Sequence, residues 1–129
     1  MRNQAGFLEF HPTLLALKKL RLPQFSGMSF VSKIRMFLDP ANSATLDRQI
    51  MKIHKADSGT ILSRFHLQPT QIPITFQNAK AYEHWCQKMR EISRQYFDDR
   101  FRAVDIERGL FQLVQSGRAA VAAQILKDA

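Results

Sequence analysis

Cysteine is almost missing from this chain of 129 residues: Cys86 stands alone. One cysteine excludes an internal disulfide and any cysteine-based zinc or iron–sulfur centre, and it fits a reducing, cytoplasmic compartment. Acidic residues are also scarce, with 11 Asp and Glu against 19 Lys and Arg, for a net charge of +8. Glycine and proline number only five each, and no internal repeat or low-complexity tract is visible. No run approaches the ~20 apolar residues of a membrane helix, so no membrane partner is expected. Met1–Gly6 lacks the apolar stretch of a signal peptide. The chain has no Walker loop, no GxGxxG and no GxSxG, which leaves a nucleotide-cofactor or serine-hydrolase reading without support. His11, His54, His66 and His84 have no i, i+4 partner and form no HExxH, so neither metal nor cofactor is expected.

What is present describes one ordinary globular domain over residues 1–129. Hydrophobic residues make up 45% and charged residues 23%, and ten Phe argue for a packed interior. The positive charge is unevenly placed. Through Arg64 there are ten Lys and Arg against four acids, an excess of +6; the remainder has nine against seven. A basic half of this kind draws polyanions by long-range attraction and counterion release, nucleic acid first among them.

Hydrophobic spacing predicts a mainly α fold, a bundle of about five or six helices. Residues 1–11 form an N-terminal arm, with Phe7, Leu8 and Phe10 available to pack on the body. Residues 12–55 read as helix, short turn, helix, loop, helix. Pro12 suits a first helical position, and Leu14, Leu15, Leu17 and Leu20 share a face until Pro23 stops the helix. Ser29 is the expected N-cap of a second helix with Phe30, Val31, Ile34, Phe37 and Leu38 as its apolar face, closed by Asp39-Pro40. A third helix is expected from about Asp47 to Lys55, with Leu46, Ile50, Met51 and His54 on its buried side. Residues 60–77 have β-type composition broken by Pro69 and Pro73, and predict a long ordered connection or a short β pair. The C-terminal helices occupy 78–129. Asn78 is the expected cap of the strongest of them, Ala79 to Phe97, whose stripe is Tyr82, Trp85, Cys86, Met89, Ile92, Ser93 and Tyr96. Trp85 on this stripe reads as core first and as a base-stacking platform second. After a polar break at Asp98–Arg102, Asp105 caps a helix with Ile106, Leu110, Leu113 and Val114 inward. Ser116-Gly117 stops it, and Ala119–Leu126 is a short last helix.

The stretch Ser29-Phe30-Val31-Ser32-Lys33-Ile34-Arg35-Met36-Phe37-Leu38-Asp39-Pro40, followed by Ala44-Thr45-Leu46-Asp47-Arg48-Gln49-Ile50, resembles the helix-hairpin-helix DNA glycosylase superfamily and its small relatives. The segment Arg102–Phe111, RAVDIERGLF, resembles a C-terminal segment of the same relatives. The resemblance implies a helix-hairpin-helix unit whose turn amides grip a DNA phosphate, and a catalytic Asp at a helix start. Ser32-Lys33 stands where the family has a small residue followed by Lys, and Asp47 stands where it has the Asp. The turn differs: Phe25-Ser26-Gly27-Met28 holds one Gly where the family has Gly-hydrophobic-Gly. The four-cysteine cluster of the iron–sulfur members is absent.

Asp47 has two readings. As a catalytic carboxylate it would stabilise positive charge on a sugar as a base leaves, or orient a water. As an N-cap it would satisfy orphan amides at about 1 kcal/mol. Lys33 reads as a phosphate contact, a Schiff-base nucleophile or a solvated lysine. Lys18, Lys19, Arg21 and Arg35 are candidate contacts to the duplex backbone, with Ser26, Gly27 and Ser29 contributed by the turn. Three functions follow: a small DNA-binding protein without strong sequence preference, a minimal glycosylase or lyase using Asp47 on a flipped base, and a protein–protein module facing an acidic partner.

Overall fold

The computed structural model describes residues 13–19 and 27–129. Among them the chain forms six α-helices and no strand: α1 (Leu14–Lys18), α2 (Met28–Leu38), α3 (Lys52–Ala56), α4 (Phe76–Phe97), α5 (Ala103–Gln115) and α6 (Ala119–Asp128). None is long and apolar enough to cross a membrane. The expected all-helical bundle is what forms. The N-terminal arm, Pro12, Arg21, Pro23 and the turn through Ser26 lie outside the described residues.

The long helix α4 is the central element. Ala81, Tyr82, Trp85, Cys86, Met89, Ile92 and Ser93 are buried along one stripe, while Tyr96 at the end is exposed. Trp85 is fully buried, which places it in the core; at 25 cal/mol/Å² its burial stabilises by roughly 4–6 kcal/mol. Thr75, not Asn78, caps α4: its hydroxyl accepts the Asn78 N–H at 3.1 Å. Asn78 lies inside the first turn and is fully buried. Its side chain accepts from His66 N–H (2.8 Å) and donates to the carbonyls of His66 (2.8 Å) and Pro73 (2.9 Å). One amide thereby organises the 60–77 connection. That connection holds a 3₁₀ turn at Ile61–Arg64 and one isolated bridge, Gly27 to Pro73, in place of a β pair.

Helix α4 ends on two left-handed residues, Asp98 (φ 53°) and Asp99 (φ 61°). Asp tolerates this region better than most side chains because its short carboxylate bonds locally. The Ser93 carbonyl accepts both closing amides, and its hydroxyl donates to Phe101 O at 2.6 Å. Helix α5 ends in a Schellman motif: Arg118 N–H reaches Leu113 O and Gly117 N–H reaches Val114 O. Gly117 has φ 80°, so glycine belongs there. Helix α6 then packs on α3 and α5.

Helix α2 departs from expectation. Gly27, not Ser29, is its N-cap, and it buries Met28, Val31, Ser32 and Arg35. Phe30, Phe37 and Leu38 are exposed, Phe37 by 75%. The 3.6-residue period is present, but the buried face includes two polar residues that have partners waiting. The third helix is also shorter than expected, with Arg48–Met51 forming turns ahead of α3.

Candidate functional site

The loop from Asp39 to Asp47 joins three helices. Ser43, Ala44, Thr45 and Leu46 are buried, so their backbone groups need partners. Helix α4 supplies several. Tyr82 OH donates to Ala44 O (2.7 Å), Trp85 Nε1–H to Thr45 O (3.2 Å) and Arg90 to Asn42 O (2.7 Å). The first turn of α5 donates two backbone bonds, Ala103 N–H to Ala41 O and Val104 N–H to Pro40 O. Helix α2 contributes Ser32, whose Oγ accepts Leu46 N–H at 3.0 Å and shares its proton between Leu46 O (3.2 Å) and Ser29 O (3.3 Å). A residue larger than Ser at 32 would separate α2 from the loop. The residue before Lys33 therefore fixes where Lys33 stands relative to Asp47.

Asp47 is half-buried just past this clamp. Its Oδ1 accepts Ile50 N–H at 3.0 Å, the geometry of a cap on the turns that lead into α3. Its other oxygen makes no hydrogen bond with a described residue. Glu107, one turn into α5, comes to the same place, 5% exposed. The Thr45 backbone amide favours its charged form, and Asp47, Arg108 and Lys33 are its charged neighbours. Burial pushes the Glu107 pKa up to about 7, and the negative charge of Asp47 adds to the rise. Arg108, the Thr45 amide and Lys33 oppose it. Near neutral pH, Glu107 therefore exists both as acid and as base. A proton-exchanging carboxyl beside a second carboxylate and a lysine is a constellation capable of general acid–base chemistry.

The other expected contact residues fall in different environments. Lys33 is exposed on α2 and belongs to this cluster. Lys18 donates its ammonium to Ile74 O at 2.7 Å, and Lys19 is exposed at the end of α1. Gly27 caps α2 with extended backbone (φ −112°). The first helical amide, Met28 N–H, is taken by Ile72 O at 2.9 Å and is not free for a phosphate. Ser29 is half-buried and lends its carbonyl to Ser32. Arg21 and Ser26 lie outside the described residues.

Arg35 corrects the expectation of a backbone contact. Its guanidinium is buried and forms a two-pronged pair with Glu83, at 2.6 and 3.0 Å, over the face of Tyr82. Burial alone would favour the neutral form, but the Glu83 carboxylate outweighs it and holds the pKa above the ordinary arginine value. Arg35 is an internal tie between α2 and α4. Cys86 is equally internal: burial pushes its thiol up to about 11, and Sγ accepts Ala44 N–H, so it is unreactive at neutral pH.

Sequence reasoning passed over Glu107, and it named Ser32 only as the small residue before Lys33, not for its bonds to Leu46. The signal for Glu107 was a carboxylate on the buried stripe of α5, between Ala103 and Leu110. Among the described residues no group of three or more His, Cys, Asp or Glu could hold a metal ion. No protein-family model, curated protein or solved structure matches the chain.

Proposed function

We propose that this chain is a small basic DNA-binding protein that holds duplex DNA by its backbone, without strong sequence preference. The observation that carries the reading is the placement of Lys33. It is exposed at the junction that Ser32 clamps, in the half of the chain with the +6 excess. A cation held on a rigid helix near a fixed loop suits phosphate contact, which positions a protein on DNA and carries no sequence information. The measurement is a duplex titration at low and moderate salt. Affinity should be micromolar or tighter at low salt and fall steeply as salt rises. Lys33→Gln should weaken binding for every sequence alike and reduce the salt dependence. Flat titrations with both duplex and single-stranded DNA would end the reading and leave the basic face to an acidic protein partner.

A second reading, a minimal glycosylase or lyase, is favoured by one further observation: Asp47, Glu107 and Lys33 are electrostatic neighbours around one loop. Asp47 would stabilise positive charge on the sugar while Glu107 exchanges a proton. The assay is release of a damaged base from lesion-bearing duplexes, wild type beside Asp47→Asn. Activity that the substitution abolishes supports the enzyme; wild type inactive on every lesion leaves a binder.

A further inference from the structure

A second basic site begins at Arg48, one residue past Asp47, and includes neither Lys33 nor Glu107. Arg48 and Gln49, in the turns before α3, and Met51, Lys52, His54 and Lys55 line a cavity of about 300 Å³ closed by Leu67 and Ile72 of the long connection. Three of these side chains are cations, and Arg48, Lys52 and Lys55 recur at helical i, i+4 and i+7 spacing. Among the described residues no carboxylate lines the cavity. Of the two acids nearest in sequence, Asp47 takes Ile50 N–H at 3.0 Å and Asp57 pairs with Lys127 at 2.8 Å; neither lines the cavity. Lys52 and Lys55 form no ion pair with a described residue, and Arg48 makes only a long bond to Gln68 O at 3.4 Å.

Like charges gathered without a counter-charge repel one another, and an anion relieves that repulsion. His54 also lines the cavity; its Nδ1 is buried and has no hydrogen-bond partner among the described residues. The cavity is not a bare charged surface, because Met51, Leu67 and Ile72 give it an apolar wall. Its volume sits at the low end of ligand pockets, which run from about 300 to 1,000 Å³, so it suits one small molecule and not an extended cofactor.

We propose that this cavity binds a nucleoside monophosphate, free or at the phosphorylated end of a strand, with the phosphate on Arg48, Lys52 and Lys55 and the ring on the apolar wall. Adenosine monophosphate is the probe, titrated by calorimetry against adenosine and inorganic phosphate. The ester should bind at least about tenfold tighter than either half, because each half forfeits one set of contacts. Lys52→Gln should weaken it about tenfold, whereas Lys80→Gln, an exposed cation on α4 outside the cavity, should leave it unchanged. Both positions are exposed, and thermal melts are the check that the variants fold. A single-stranded oligonucleotide with and without a 5′ phosphate separates the two sources of ligand. If the 5′-phosphorylated oligonucleotide is preferred over the free nucleotide, a strand end is the natural occupant; the reverse order assigns the free nucleotide.

Lys33→Gln keeps this test distinct from duplex binding. It should lower duplex affinity and leave adenosine monophosphate untouched, so either reading fails alone. Adenosine monophosphate binding no tighter than adenosine, or equal losses in Lys52→Gln and Lys80→Gln, would overturn the proposal.

Discussion

Helices α2 and α4 obey the same 3.6-residue rule and bury different chemistry. The inner stripe of α4 is largely apolar, with Tyr82, Trp85, Met89 and Ile92 filling the core. The inner stripe of α2 carries Ser32 and Arg35 beside Met28 and Val31, and sends Phe30, Phe37 and Leu38 outward. Hydrophobicity alone orients a helix when its neighbours offer only apolar surface. It misorients a helix when distant residues hold partners for its polar groups. Leu46 and Glu83 are such partners, 14 and 48 positions away. The energy lies in the pairing and not in the residue type: a buried guanidinium without Glu83 would be strongly unfavourable.

The largest effect should come from the apolar side of this comparison. Trp85→Ala should lower stability by about 3–5 kcal/mol, since it empties a fully buried site and leaves the Thr45 carbonyl unpaired. That is a large share of the roughly 5–15 kcal/mol available to a domain. Denaturant melts check it; a wild-type midpoint would show that the core does not depend on this stripe.

Next in size is the pH dependence of the buried polar side. The Glu107 pKa is raised from 4.5 to about 7 in the folded chain. The native state therefore holds a proton that the unfolded chain has released between those values, and stability falls as pH rises from about 4.5 to about 7. The loss is on the order of 3 kcal/mol at 1.36 kcal/mol per pH unit. Below pH 4.5 both states are protonated and this contribution is constant. Glu107→Gln should remove most of the slope and be more stable than wild type at pH 8. Parallel wild-type and variant curves from pH 5 to pH 8 would contradict the assignment.

The Arg35–Glu83 pair should show an asymmetry of smaller size. Glu83→Gln strands a buried cation whose Nε already lacks a partner among the described residues, and should cost about 1–2 kcal/mol after allowance for the half-exposed Glu83 side chain. Arg35→Met strands only a carboxylate that water can reach, and should cost about 1 kcal/mol or less. Equal costs would mean that burial of Arg35 does not control the pair.

Legibility follows the same division. The α4 stripe, the Ser116-Gly117 stop and the all-helical class were readable because they rest on local spacing and on the backbone freedom of glycine. The capping role of Thr75 was not: Thr75 and Asn78 are both good caps three residues apart, and only the long-range bonds of Asn78 to His66 and Pro73 decide between them. At the candidate site, Asp47 and Lys33 stood out by resemblance and by position. Glu107 was hidden because its significance comes from Thr45 and Asp47, about 60 positions earlier in the chain. The Arg48, Lys52 and Lys55 grouping was hidden because it needs Leu67 and Ile72 to become a cavity.

Asp47→Asn sharpens the comparison with the smallest change in stability. Asn caps about as well as Asp, so the bond to Ile50 N–H should survive and stability should move by only a few tenths of a kcal/mol. The informative readout is Glu107. Removing the Asp47 charge takes away one of the two influences that raise its pKa, so its midpoint should move down from about 7 while burial still holds it above 4.5. The downward slope of stability against pH should then shift to lower pH and become shallower. Titration of the Glu107 carboxyl by NMR in wild type and variant measures this directly. An unchanged midpoint would separate the two carboxyls, and with them the acid–base pair on which the glycosylase reading depends. It would leave untouched the Thr45 amide and the burial that place Glu107 inside the fold.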